Sequence, residues 1–236
     1  MGSKVALIIT VLLLTMAVSL VFFLQRGNMK KSVNTKPGTI RYIPIGDSYT
    51  IGEGLPEEET WPYLLTQRLQ QDGVEIVLLE NPAVTGWTTQ QAIDSELPLL
   101  GQNQITFSTI LIGANDQFGG GSPDDYSMRL KKLLDEMERV IPDKKILLIT
   151  IPDYVRSPAM KAFSDKAEAT RGLEQFNEII KQEGARRGLP VADIYPLSQQ
   201  IATDESMFTS DGLHPSAKQV QLWEEVIYTE AKKMLK

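Results

Sequence analysis

Two short runs far apart in this chain hold residue types that can do chemistry together. Near the C-terminus, Asp211-Gly212-Leu213-His214-Pro215 contains the only histidine of the 236 residues. Far upstream, an apolar stretch ends in Gly46-Asp47-Ser48. A serine hydroxyl becomes a nucleophile only when a base takes its proton. If the chain uses imidazole chemistry, that base is His214. Asp211, three residues earlier, is placed to accept a hydrogen bond from the other ring nitrogen, fixing the tautomer and stabilising the imidazolium formed during attack. A general base must be neutral, so a rate that depends on His214 falls on acidification. Asp47 is expected to be structural, a carboxylate accepting backbone N–H groups in the loop.

These residues need a scaffold that brings them together. Short, continuous, apolar runs at Ile40–Ile45, Glu75–Leu79, Ser108–Ile112, Lys145–Thr150 and Leu189–Asp193 predict strands buried on both faces of a parallel sheet. Between them, amphipathic patterns predict helices over Trp61–Gln71, Thr89–Leu99, Asp124–Ile141 and Ala167–Arg187, and a last one over Ala217–Leu235. Pro62 and Pro123 mark helix starts, where a proline gives up no needed hydrogen bond. The alternation implies a three-layer α/β/α domain with right-handed crossovers. Ligands of such sheets bind beyond the carboxyl ends of the strands, at a topological switch point. With strand order 2-1-3-4-5, Gly46-Asp47-Ser48 after the first strand and Gly113-Ala114-Asn115-Asp116 after the third meet at that crevice.

Four blocks, in order, resemble the SGNH hydrolases, or GDSL esterase/lipase family: IPIGDSYTIGEG, NPAVTGWT, GAND and DGLHP. One tripeptide would mean little; four blocks at loops after strands or before the last helix carry the resemblance over the whole domain. The stretch GEGLPEEETWPYLL further resembles the bacterial lysophospholipase/thioesterase and arylesterase branch. The resemblance implies a flavodoxin-like fold with five parallel strands and a triad of Ser48, Asp211 and His214. It also implies an oxyanion hole made by the backbone N–H groups of Ser48 and Gly86 and the side-chain amide of Asn115. The substrates implied are short-chain esters, lysophospholipids or thioesters. The alternatives are an O-acetylesterase or acetyltransferase acting on surface glycans, and a non-catalytic binding module that keeps the fold.

The chain departs from the family where Pro82 and Ala83 follow Asn81 and Trp87 follows Gly86. Trp87 is either a wall of the acyl or leaving-group pocket or a core-packing indole beside a helix start. Phe118, ahead of Gly119-Gly120-Gly121, sits in what reads as a mobile loop at the crevice rim that shapes substrate access, or as a plain connector. No Gly-Lys-Ser/Thr follows these glycines, so they are not a phosphate loop. The G-x-S-x-G elbow of the α/β-hydrolases is absent.

Composition bounds the partners. The first 36 residues carry Lys4, Arg26, Lys30, Lys31 and Lys36 and no acid. That leaves 19 basic against 30 acidic residues, a formal charge of −11, for the other 200. So acidic a domain is a poor nucleic-acid binder. With no cysteine, disulfides, thiolate zinc sites and lipoprotein attachment are excluded. No metal or cofactor is expected, and a monomer is. Residues 5–24 contain no charge and are long enough to cross a bilayer. They are expected to be a transmembrane anchor after a short N-terminus (residues 1–4), with a polar, basic linker over 25–38 and the hydrolase domain over 39–236. The catalytic domain is expected to be extracytoplasmic; secretion after cleavage of the apolar segment is the alternative.

Overall fold

In the computed structural model, which describes residues 36–235, all five expected strands form and lie side by side in one sheet. β1 (Ile40–Gly46), β2 (Ile76–Leu78), β3 (Phe107–Leu111), β4 (Ile146–Ile149) and β5 (Val191–Ala192) run in the order 2-1-3-4-5. Every neighbouring pair is parallel. All of β3 and β4 is buried, because helices cover both faces, and this is why their sequences are continuous apolar runs instead of alternating ones. The sheet order places the β1 and β3 loops side by side at the carboxyl edge. The short N-terminus, the apolar run over 5–24 and the linker up to residue 35 lie outside the described residues. Among the described residues no helix is long and apolar enough to cross a membrane.

The helices are α1 (Ser48–Ile51), α2 (Trp61–Gln71), α3 (Thr89–Gln91), α4 (Leu97–Gln102), α5 (Ala114–Phe118), α6 (Pro123–Val140), α7 (Lys166–Arg187), α8 (Tyr195–Ile201) and α9 (Ala217–Leu235). α2 packs on α9, and α6 packs on both α4 and α7. Trp61 and Trp223 are fully buried in the first of these layers, where Arg68 on α2 pairs with Glu224 on α9 at 2.8 Å. The one expected helix over Thr89–Leu99 is not a single α-helix. Between α3 and α4, Ala92–Glu96 is a π-turn, and Leu97 N–H reaches back five residues to the Ala92 carbonyl. Pro98 follows at once and has no N–H to donate in any register, so the α4 hydrogen bonding starts afresh after it.

Three short helices were not expected. α1 and α5 begin directly after β1 and β3. α8 carries Pro196 in its first turn, the same signal that marks α2. Phe118 belongs to the end of α5, and the glycines after it close that helix: Gly119 N–H donates to the Asn115 carbonyl at 3.0 Å and Gly121 N–H to the Asp116 carbonyl at 2.8 Å. Residues 119–121 form a hydrogen-bonded turn that ends α5 and connects it to α6.

Gly113, at the β3–α5 junction, has φ +124, and a Cβ there would lie 2.6 Å from the Tyr126 ring. Tyr126 cannot move aside, because it stacks on Phe176 at 4.2 Å and donates its hydroxyl to the Ile112 carbonyl at 3.0 Å. Gly113→Ala therefore combines a left-handed φ with a core collision. It should cost about 2–4 kcal/mol of unfolding free energy, read from the denaturation midpoint. A loss under about 0.5 kcal/mol would refute this account of the junction.

Candidate active site

Ser48 opens α1 immediately beyond the end of β1. Asp47 caps that helix, its Oδ1 accepting Tyr49 N–H at 3.0 Å, as the structural reading of this aspartate expects. Asp47 is fully buried. Burial raises its carboxyl to about 7, an effect the Tyr49 N–H opposes and nearby Asp116 adds to. The N–H of Ser48 is one of the donors that a helix start leaves unpaired, and no group among the described residues accepts it. The second block of the sequence is tied onto this turn. Asn81 Nδ2 donates to the Thr50 carbonyl at 2.7 Å, and the Thr85 hydroxyl donates to Glu53.

His214 arrives on a loop held by its own backbone. Thr209 N–H donates to the His214 carbonyl at 2.8 Å, and Phe208 and Pro215 form an antiparallel bridge just before α9 begins. His214 Nδ1 lies 2.6 Å from Asp211 Oδ2. Asp211 Oδ1 accepts Leu213 N–H at 2.7 Å, His214 N–H at 3.0 Å and the Thr209 hydroxyl at 2.8 Å. Partial burial pushes the Asp211 carboxyl up, but the His214 ring, these two N–H groups and the hydroxyl outweigh it and hold it at about 2. An ionised carboxylate accepts only. Nδ1 must therefore carry the proton of the neutral ring, which leaves Nε2 as the basic nitrogen. Tyr49 packs beside the imidazole with ring centres 5.7 Å apart.

Ser48 and His214, 6 % and 8 % exposed, line the same cavity of about 200 Å³. No hydrogen bond joins them. Gly86 and Asn115 also line it. Gly86 has φ +84 with open space where a Cβ would project, so its backbone is bare to the cavity, and its N–H has no acceptor among the described residues. Asn115 Nδ2 is anchored to the Trp87 carbonyl at 2.9 Å, with a weaker approach to Asp47 Oδ2 at 3.4 Å. What Trp87 brings to the site is this carbonyl; the residue is half-buried and is not part of the cavity wall. Phe118 is part of it, 62 % exposed and edge-on to Tyr154 at 6.2 Å.

The remaining wall is Tyr49, Thr85, Ala114, Tyr154, Met160 and Leu213. Sequence reasoning singled out none of these. Tyr154 and Met160 come from the segment after β4, and its position at a strand's carboxyl end was the available signal. The cavity thus presents a hydroxyl, an imidazole with a charged orienting carboxylate, and unspent N–H groups, inside largely apolar walls. Those are the parts that acyl transfer uses.

A family model for GDSL-like lipases/acylhydrolases matches residues 45–222, a span that contains all five of Ser48, Gly86, Asn115, Asp211 and His214. The chain belongs to the GDSL-like lipase/acylhydrolase family. It is accordingly an ester-bond hydrolase. An arylesterase of Vibrio mimicus is 24 % identical over 183 residues, 78 % of this chain and 83 % of that one. Thioesterase 1/protease 1/lysophospholipase L1 of Escherichia coli K12 is 22 % identical over 173 residues, 73 % of this chain and 74 % of the other. Among solved structures, that of TesA superposes with a TM-score of 0.67 at 21 % identity, covering 83 % of this chain and 99 % of that one. That likeness supports the three-layer fold with its five parallel strands.

Proposed function

We propose that this hydrolase is a serine esterase in which Ser48 is the nucleophile, His214 the general base and Asp211 its orienting acid. The observation that carries the reading is the shared cavity: Ser48 lines it beside the one histidine, whose ring is held at 2.6 Å by an ionised carboxylate. As Ser48 Oγ bonds to the acyl carbon, His214 Nε2 takes the hydroxyl proton. Asp211 stabilises the imidazolium without accepting that proton. Collapse of the tetrahedral intermediate breaks the bond to the leaving alcohol or thiol, and His214 returns the proton to it. Water then repeats the sequence on the acyl-enzyme and frees Ser48.

The developing oxyanion is met by the N–H groups of Ser48 and Gly86 and by the Asn115 amide. Asn115→Ala removes one of three donors and should lower kcat about 10²–10³-fold. It should leave KM within a few-fold, because the donor acts on charge that appears only in the transition state. A kcat within threefold of the parent in a steady-state assay would remove Asn115 from the oxyanion hole.

Apolar groups from Ala114, Phe118, Tyr154, Met160 and Leu213 favour the acyl side of an uncharged ester, and the relatives' names point to aryl esters, thioesters and lysophospholipids. The test is hydrolysis of p-nitrophenyl acetate, butyrate and octanoate, with fluorophosphonate labelling of the same preparation. Turnover with label on Ser48 is the expected result. A rate confined to acetate would move the reading to an O-acetylesterase. A folded chain with neither turnover nor label would overturn the serine mechanism.

A further inference from the structure

The strand that delivers Ser48 outruns its neighbour. β2 pairs with β1 only as far as Tyr42 opposite Leu78, and a last bond joins Leu79 N–H to the Tyr42 carbonyl at 3.0 Å. Beyond Tyr42 that edge of β1 has no strand beside it. Even-numbered residues turn their backbone groups to this edge, as Ile40 N–H shows by donating to the Glu75 carbonyl at 2.7 Å. Odd-numbered ones face β3, where the Arg41 carbonyl accepts Thr106 N–H at 3.0 Å. The next two even positions are Pro44 and Gly46. Pro44 has no N–H to satisfy. Gly46 has one, and it donates to Glu96 Oε2 at 2.8 Å.

Glu96 is fully buried and reaches this edge from the π-turn Ala92–Glu96. Such turns insert one residue into a helix and re-aim the side chains that follow. Its other oxygen, Oε1, has no partner. A buried polar atom left idle costs of order 1–3 kcal/mol, so a hydrocarbon at 96 would fill the space more cheaply but would strand the Gly46 N–H. Gly46 is confined on its other sides too. A Cβ there would collide with Thr50 Oγ1 of α1 and lie 2.7 Å from the Leu111 carbonyl of β3. Burial, opposed by the Gly46 N–H and reinforced by Asp47, drives the Glu96 carboxyl well above the ordinary range. A neutral acid accepting one N–H bond is consistent with that.

We propose that Glu96 is a positioning residue for Ser48: its carboxyl oxygen stands in for the missing strand at Gly46 and fixes the point at which β1 hands over to α1. The proposal rests on the reading of Ser48 as nucleophile. A displacement of about 1 Å at a reacting group can cost on the order of 10²-fold in rate, and Gly46 is two residues from the hydroxyl.

The test compares the full chain with E96M, which fills the space without an acceptor, and E96Q, which keeps a carbonyl oxygen. For p-nitrophenyl butyrate, E96M should lower kcat by about 10–100-fold with KM little changed, and E96Q should recover most of that loss. Hydrogen exchange of the Gly46 amide, read without turnover, should speed up in E96M and stay slow in E96Q. Should E96M fail to fold, E96D carries the test, because its acceptor is drawn back by one carbon and kcat should fall there too. Parental kcat in E96M or E96D, or an E96Q as slow as E96M, overturns the proposal and leaves the serine mechanism intact. An inactive parent that fluorophosphonate does not label overturns the nucleophile reading itself, whatever the exchange pattern.

Discussion

Ser48→Ala and His214→Ala are each expected to lower kcat for p-nitrophenyl butyrate by about 10³-fold or more. The size follows from there being no substitute for either group. A second imidazole does not exist in the chain, so no neighbour can take over proton transfer when His214 is lost. Ser48 Oγ makes no hydrogen bond within the described residues, so its removal takes nothing from the fold, and the Ser48→Ala melting midpoint should match the parent. The double variant should be no slower than either single one, because a base without a nucleophile, or the reverse, contributes nothing. Stopped assays on all three forms decide the matter. A double variant slower than Ser48→Ala by a further large factor would mean that His214 works independently of Ser48, and the triad would have to be abandoned.

Asp211→Asn should cost about 10⁴-fold in kcat at neutral pH while leaving the loop folded. An asparagine whose Oδ1 keeps the acceptor role toward Leu213 N–H, His214 N–H and Thr209 would present an NH₂ to His214 Nδ1. Two donors cannot share that contact, so the ring flips its proton to Nε2 and the base is lost. Acidification separates the partners. Asp211 is held at about 2, below the ordinary carboxylate value of about 3.9. Its folded value is depressed, so its contribution to stability is present above that ordinary value and is lost only as pH falls through about 2. Asp211 therefore stays ionised down to about pH 4, and a fall in rate above that pH does not come from Asp211. The kcat/KM profile of the parent should decline well before acid unfolding begins. A profile flat down to about pH 4 would contradict imidazole as the base.

What the sequence made legible is what local chemistry determines. Five short apolar runs declared the parallel sheet, two of them, β3 and β4, buried throughout, and the motif residues at their carboxyl ends declared the crevice. Asp211 and His214, three residues apart, could be paired on paper because one loop holds both. The rest depends on contacts between distant segments. Glu96 reads as a polar position on an amphipathic helix; only the π-turn turns it inward, and only the early end of β2 gives it an acceptor's work. Tyr154 and Met160 lie in a stretch with no periodicity to place them. Trp87 drew attention as a large indole, yet its contribution to the site is a backbone carbonyl, which any residue at that position could supply. The glycines after Phe118 resemble a flexible tether in composition, but the Asn115 and Asp116 carbonyls need donors at the end of α5.

The histidine loop also touches the wall that carries Tyr154 and Met160. Ala159 N–H donates to the Gly212 carbonyl at 3.0 Å, and Gly212, at φ +71, would bring a Cβ to 3.2 Å from Pro158. The segment carrying Tyr154 and Met160 and the loop carrying His214 are therefore tied by a backbone hydrogen bond, so a shift in one is felt by the other. Whoever re-engineers this enzyme for bulkier acyl groups by reshaping residues 154–160 will retune turnover along with selectivity. Substrate range and speed should then travel together through a mutant library of that segment.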